Sequence, residues 1–438
     1  MFEELLLQLQ NPNTQWVLIG TMLLGIASGV VGSFTLLRKQ SLIGDAMAHS
    51  ALPGVCIAYL LYGSKSLLWF LIGAVIAGLI SSFFIQVIIN HSRIKEDSAL
   101  GIIISVFFGF GIVLLTYIQH NGAGNQSGLD DFIFGQAASM VAADVRLITI
   151  IAIILLAITA IFYKEFKLLT FDPQFAKGIG IPAKFFNGLL LLLIVCSVVI
   201  GLQTVGVVLM AAMLITPAIS ARYWTEKLSS MIIISGFIGG ISGVFGTLLS
   251  TIMEGMATGP LIIIAATIMF IISLIFAPKR GLLAKAIKQL HLRKRTAVEQ
   301  IFLSFYDVAE GGNLREISED EVLLKRKVTP SLFQHAKNVL EKKEYIKPSS
   351  NGKWMLTEKG IEAGYELVLQ QRLYEMYLMH EMEFAHLELK TREDLNLNAI
   401  SKETKDQLLK LLRIHDRAPL LIPKSTSLGD RRVMVNDL

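Results

Sequence analysis

Cysteine is nearly missing from this chain: Cys56 and Cys196 are its only two among 438 residues. Two isolated thiols exclude a disulfide framework and a CxxC metal knuckle. Charge is scarce as well, at 17% of residues, and it is confined to patches, which excludes a uniformly solvated soluble chain. No GxxxxGK[ST] occurs, so the chain has no phosphate-cradling loop of its own and any ATP-driven work must borrow an ATPase. The residues ahead of the first apolar run contain no Lys or Arg, so the basic flank of a cleavable signal peptide is lacking and that run is expected to be retained.

What is present is apolar length, with 53% hydrophobic residues distributed very unevenly. Up to about Pro278 the chain is membrane-like, and beyond it the composition turns soluble. Nine segments are expected to span a bilayer as helices, near residues 16–37, 44–62, 67–90, 98–118, 143–163, 184–201, 205–221, 229–252 and 259–277. With odd-numbered helices running inward, one side collects Arg38, Lys39, Arg93, Lys95, Lys164, Lys167, Lys177, Lys184, Arg222 and Lys227. The other side holds only Lys65 and Arg146. The positive-inside rule then places the N-terminus outside and the soluble C-terminal region in the cytoplasm. The expected fold is an all-α polytopic membrane protein of about nine transmembrane helices, followed by a cytoplasmic α+β winged-helix domain. Its parts are a membrane domain at 1–278, a basic juxtamembrane linker at 279–295 and the extension at 296–438. Glycines at 25, 29 and 32, and again at 236, 239, 240, 243 and 246, have the spacing that lets membrane helices approach closely.

The stretch GDAMAHSALPG, residues 44–54, puts the ionisable pair Asp45 and His49 inside apolar sequence. Four residues apart on a helix, they share a face, and a carboxylate with an imidazole suits a borderline divalent ion such as zinc, manganese or iron. Intramembrane ionisable groups mark functional sites by default. The competing reading is a capped helix start, with Asp45 over the first turn and His49 bonded to a backbone carbonyl. Cys56 lies seven residues on and is a candidate soft ligand, weighed against simple packing. Pro53, one turn beyond His49, is expected to kink the helix. A helix starting near Gly44 puts Asp45 close to the cytoplasmic face as an inner gate, whereas a dipping Gln40–Gly44 turn puts it deeper; both placements stay open. Asp130 and Asp131 in the Gly-rich loop 119–139, and Glu254 in the turn before the last span, are candidates for attracting cations at the outer side, weighed against plain solvation. In the long loop 164–184, Asp172 and Pro173 read as an N-cap and N1 proline, with Gly178 or Gly180 ending a short helix that could dock a partner or merely connect.

Several ordered stretches together resemble the membrane subunits of ABC importers for manganese, zinc and iron: GDAMAHSALPGV, EDSALGI at 96–102, FDPQFAKGIGI at 171–181 and VGVVLMAAMLITPAISAR at 205–222. The resemblance covers 16–278. It implies a transport subunit of a bacterial cell membrane, without enzymatic activity or a permanently bound cofactor, that moves a divalent metal by alternating access; manganese is favoured over zinc or iron. It implies as partners a second permease copy or paralogue, two cytoplasmic ABC ATPase subunits and an extracellular metal-binding lipoprotein. Asp45 and His49 take the metal-handling positions. Phe171, Asp172, Pro173, Phe175, Ala176, Gly178 and Gly180 take those of the helix that couples to the ATPase.

Beyond Pro278, the basic residues Lys279, Arg280, Lys285, Lys288, Arg293, Lys294 and Arg295 are expected to meet anionic membrane lipid. Capping boxes at Thr296/Glu299 and Ser318/Glu321, an N-cap at Thr329 before Pro330, a hairpin turning at Asn351–Gly352 and a long helix over 358–386 compose a winged helix. LTEKGIEAG and QQRLYEMYL are similar to iron-dependent, metal-sensing repressors, although Gln371 stands where those proteins carry a metal-binding His before the Arg. His380, Glu381, Glu383 and His386 have spacings that suit a metal, with a solvated polar face as the alternative. A membrane-tethered module cannot search a chromosome freely, which favours protein docking or regulation over nucleic-acid binding. The rival from another class is a membrane-anchored, metal-responsive DNA-binding regulator, which requires specific DNA binding by 291–438 and tolerance of change at Asp45. A secondary transporter driven by ion gradients requires proton-relay carboxylates, and few are present.

Overall fold

The computed structural model describes residues 12–63, 66–121, 140, 142–252, 256–312, 316–349, 352–384 and 402–423. The chain divides into two compact units, Met1–Lys285 and Ala286–Leu438.

The first unit is helical throughout its described residues: α1 (Pro12–Leu37), α2 (Ser41–Tyr62), α3 (Leu67–His91), α4 (Glu96–Asn121), α5 (Ala142–Ile161), α6 (Tyr163–Phe171), α7 (Pro173–Gly178), α8 (Ala183–Val205), α9 (Val207–Trp224), α10 (Leu228–Ile252) and α11 (Thr258–Phe276). Among the described residues eight of these, α1 to α5, α8, α10 and α11, are long and apolar enough to cross a membrane, against the nine expected. The expected seventh span exists as α9, an 18-residue helix about 27 Å long. It carries Pro217, and its Met210, Met213, Leu214 and Ala218 are fully buried, whereas Trp224 at its end is exposed. A single residue, Gly206 at φ 90°, joins it to α8; that backbone conformation disfavours any side chain. Sequence patterning also missed α6, which follows α5 after one residue and turns the expected loop start into helix.

Helices α1 and α2 are the most enclosed, while α3, α4 and α11 leave apolar faces such as Phe83, Val113 and Ile264 exposed, as lipid-facing residues are. The tightest pair is α1 against α10. Ser235 Oγ donates to the Gly29 carbonyl at 2.7 Å and Thr247 Oγ1 donates to Thr21 Oγ1 at 3.0 Å, both in the interior. A Cβ on Gly25 would land on the Gly239 carbonyl oxygen, and one on Gly239 would land on that of Gly25. Backbone cannot yield as a flexible side chain does. Gly25→Ala is therefore expected to lower stability by at least about 1–3 kcal/mol through overpacking, read as a lower midpoint of thermal unfolding in detergent. An unchanged midpoint would mean that the α1/α10 contact is looser than this packing.

The second unit begins inside α12 (Leu282–Glu310) and continues through α13 (Glu319–Lys325), α14 (Pro330–Lys342), β1 (Ile346–Pro348), β2 (Trp354–Leu356), α15 (Glu358–Met379) and α16 (Lys402–Ile414). The strands pair antiparallel, with Ile346 opposite Leu356, and an isolated bridge joins Ile317 to Trp354. Among the described residues this is the whole β component, smaller than the α+β domain expected. Within the stretch expected as linker, residues 282–295 are helical and form the first half of α12. Thr296 sits inside that helix rather than capping a new one, because the basic, alanine-containing run ahead of it has good helix propensity. Ser318 and Glu321 do form a full capping box, and Thr357 caps α15 by accepting from Gly360 N at 2.9 Å. The long helix stops at Met379, and His380 begins a turn. Asn351 and His386 lie outside the described residues.

A core of Ile301, Phe305, Ile317, Phe333 and Leu356 holds α12 to the hairpin, and Tyr306, Leu373, Met376 and Leu408 fasten α15 to α16. At their edge Arg372 joins Asp307, at 3.3 Å, and Glu310. Burial raises the Asp307 carboxyl above its ordinary value while Arg372 pulls it down.

Candidate functional site

Helix α2 starts at Ser41, three residues after α1 ends, and its N-cap position is Gln40, which makes no side-chain cap bond. Asp45 therefore lies one turn inside the helix and His49 two turns inside, about 6 and 12 Å along its axis. The cap reading of Asp45 does not hold. Residues 40–43 are the turn's last residue and regular helix, so the turn does not reach to Gly44.

His49 Nε2 stands 3.4 Å from Asp45 Oδ1, with the two side chains 17% and 35% exposed. Two donors about 2.1 Å from one ion at tetrahedral angles are about 3.4 Å apart, so the pair has the span of a shared ligand set. Phe108 of α4 packs edge-on against the imidazole, centroid to centroid 4.8 Å at 81°, and fixes the ring plane. The remaining nitrogen, Nδ1, is buried without a hydrogen-bond partner among the described residues, so the carbonyl-bonded histidine of the competing reading is absent too. A buried, unpartnered ring nitrogen is a cost that packing alone does not repay. Pro53 lies inside α2 as expected.

Other candidates separate from this pair. Cys56 is fully buried, and its Sγ faces the Gly111 carbonyl of α4 at 3.8 Å. Among the described residues no group of three or more His, Cys, Asp or Glu assembles, so Cys56 does not join Asp45 and His49. Asp130, Asp131 and Glu254 lie outside the described residues.

The short helix α7 forms where Asp172 and Pro173 predict it. Asp172 Oδ1 accepts from Phe175 N at 2.9 Å, Pro173 takes the N1 position, and the helix ends at Gly178, with Gly180 at φ 86° just beyond. Ala176 is fully buried, whereas Phe171, Phe175 and Ile179 are each more than half exposed. This is an anchored peg with an apolar outer face.

Sequence reading missed a connection beside this peg. Arg38, counted only as a topology charge, donates from Nη1 to Asn187 Oδ1 of α8 at 2.8 Å and from Nε to Thr170 Oγ1 of α6 at 3.3 Å. Its Nη2 is buried and has no hydrogen-bond partner among the described residues. Arg38 also lines a cavity of about 590 Å³ with Gln40, Met47, Gln86, Glu96 and Lys184. Ile43 and Met47 are the α2 residues on that cavity; Asp45 and His49 lie on another face of the helix. The only hint in the sequence was a guanidinium between two apolar helices.

The model of the ABC 3 transport family matches residues 10–277. The chain is 60% identical over 419 residues, 96% of each chain, to the manganese transport system membrane protein MntC of Bacillus subtilis. It is 41% identical over 286 residues, 65% of this chain and 95% of the relative, to the zinc transport system membrane protein TroC of Treponema pallidum. Among solved structures, PsaBC from Streptococcus pneumoniae in complex with Fab matches with a TM-score of 0.58 and 34% identity, over 64% of this chain and 98% of that one. Eight candidate spans, no phosphate-cradling loop and a family match over most of the first unit lead to one statement: the chain belongs to the ABC 3 transport family and is the membrane permease subunit of an ABC transporter.

Proposed function

We propose that this permease carries manganese inward, with Asp45 and His49 as the donors that receive the ion along its path. The observation that carries this reading is the 3.4 Å Asp45–His49 pair, with an Nδ1 that has no partner among the described residues, on one of the two most enclosed helices. The 60% identity to a manganese transport protein over nearly the whole chain supports manganese, and the similarity to a zinc transport protein keeps zinc as the second candidate, with iron third. One carboxylate and one imidazole per subunit make a modest, exchangeable site, which suits an ion that must leave again. The donors are partly exposed in the single chain, so a second permease, a copy or a paralogue, would close the path around them.

The exposed apolar face of α7 is the surface we assign to a cytoplasmic ABC ATPase, and an extracellular metal-binding lipoprotein would deliver the ion. The loop charges support an external N-terminus and a cytoplasmic second unit, whose α12 to β2 we read as a winged-helix module for docking or regulation. Exposed Leu283, Ile287 and Leu290 beside Lys285 and Lys288 would lay the start of α12 on anionic lipid. DNA binding is disfavoured for a module so tethered.

The test is accumulation of manganese in proteoliposomes carrying the complete transporter, loaded with ATP or with a nonhydrolysable analogue. Accumulation is expected only with hydrolysable ATP. Uptake that follows a proton gradient without ATP would overturn the reading.

A further inference from the structure

The second unit brings together two imidazoles that transport does not use. His380 is the C-cap residue of α15, and His415 directly follows α16. Their Nε2 atoms face each other at 3.4 Å, with ring centroids 5.7 Å apart and planes at 55°. That separation is long for a strong hydrogen bond, whose heavy atoms usually stand about 2.7–3.2 Å apart. It equals the span of about 3.4 Å between two nitrogens held about 2.1 Å from one tetrahedral ion.

Three further features fit a cation between the rings. Glu383 Oε1 lies 3.5 Å from His380 Nδ1. A carboxylate there keeps the proton on Nδ1 and leaves the Nε2 lone pair directed at His415, the usual support for a metal-bound histidine. Both rings stand at C-terminal ends of helices, where unpaired carbonyls favour positive charge. Of the two guanidiniums that lie two residues from His415, Arg413 and Arg417, the latter is paired with Glu375 at 2.9 Å.

We infer that His380 and His415 form a transition-metal site in the second unit, taking a borderline divalent ion of the zinc type, with water in the remaining positions. Two imidazoles favour such an ion over manganese, which prefers oxygen donors. The site thus selects differently from the Asp45–His49 pair. Among the described residues no larger donor cluster surrounds it, so the ion exchanges with its surroundings. A bound ion would fasten the end of α15 to the end of α16, across a separation of 35 residues in sequence.

The test uses the full-length permease in detergent, with Asp45→Asn in every sample so that the membrane pair is removed from the comparison. Zinc chloride is titrated by equilibrium dialysis with elemental analysis. The chain with both histidines is expected to bind one more equivalent than the His380→Gln, His415→Gln double variant. Zinc should raise its thermal midpoint but not that of the double variant. Glu383→Gln keeps both ligands and should weaken binding about 10-fold. Equal stoichiometry and affinity with and without the two histidines would overturn the site, and so would a zinc-dependent rise in midpoint that survives their loss. Matching midpoints without zinc show that substitution of half-buried His380 and exposed His415 left the fold intact. Because every sample lacks Asp45, the transport reading can fail without altering this result.

Discussion

Asp45→Asn and His49→Ala permeases, each in the complete transporter at matched membrane abundance, are expected to take up manganese at least about 10-fold more slowly than the wild type. The magnitude follows from what a passing ion loses. In the bilayer interior it sheds part of its water, and the protein must return comparable charge and lone pairs. Asn keeps the size of Asp and removes its charge. Interactions with a charged group are worth about 1.5–3 kcal/mol, which is about 10- to 100-fold in rate if lost at the barrier. His49→Ala removes the nitrogen 3.4 Å from that carboxylate and the ring that Phe108 holds. Elemental analysis of cells offered manganese, zinc and iron reads both variants, and the metal whose uptake collapses is the cargo. Uptake that persists in both would return the pair to packing and move the pathway elsewhere in the bundle.

The helical parts of this architecture were legible because their signals are local. A run of about 20 apolar residues, an i, i+4 pair, and Asp172 ahead of Pro173 each specify structure within two or three turns. The Asp45–His49 contact could be read for that reason, and so could α7. What failed to show involved competition or distance. Helix α9 forms where an apolar run is expected, but that run does not encode the burial of Met210, Met213 and Leu214 against neighbouring helices. Thr296 has a capping-box pattern, but helix propensity upstream carried α12 through it. Glycine spacing announced close packing without naming a partner; only the structure pairs Gly25 with Gly239. Arg38 with Thr170 and Asn187, and His380 with His415, are contacts across 132, 149 and 35 residues, and no periodicity encodes them. Contacts set by local geometry were visible, and those set by how helices meet were not.

Arg38 carries the second large expected effect. Arg38→Met in the complete transporter should leave ATP hydrolysis near its wild-type rate while manganese uptake falls about 10-fold, the value of one charge-assisted hydrogen-bond set of about 1.5 kcal/mol or more. The guanidinium follows α1 directly and precedes α2 by two residues, so it sits at the root of the helix bearing Asp45 and His49. One of its bonds reaches Thr170, two residues before the Asp172 cap of α7; the other reaches Asn187 in the first turns of α8, just after the short helix. On the proposed assignment of α7 to an ATPase, its displacement would be handed to the start of α2 through two hydrogen bonds instead of a loose turn. Arg38→Lys keeps the charge but not the fork that reaches two acceptors at once, so it should restore only part of the uptake. Asn187→Ala combined with Arg38→Met should cost no more than Arg38→Met alone, because both break the same contact. If hydrolysis and uptake fell together in every variant, Arg38 would belong to assembly. If neither changed, motion would have to reach α2 by helix packing alone.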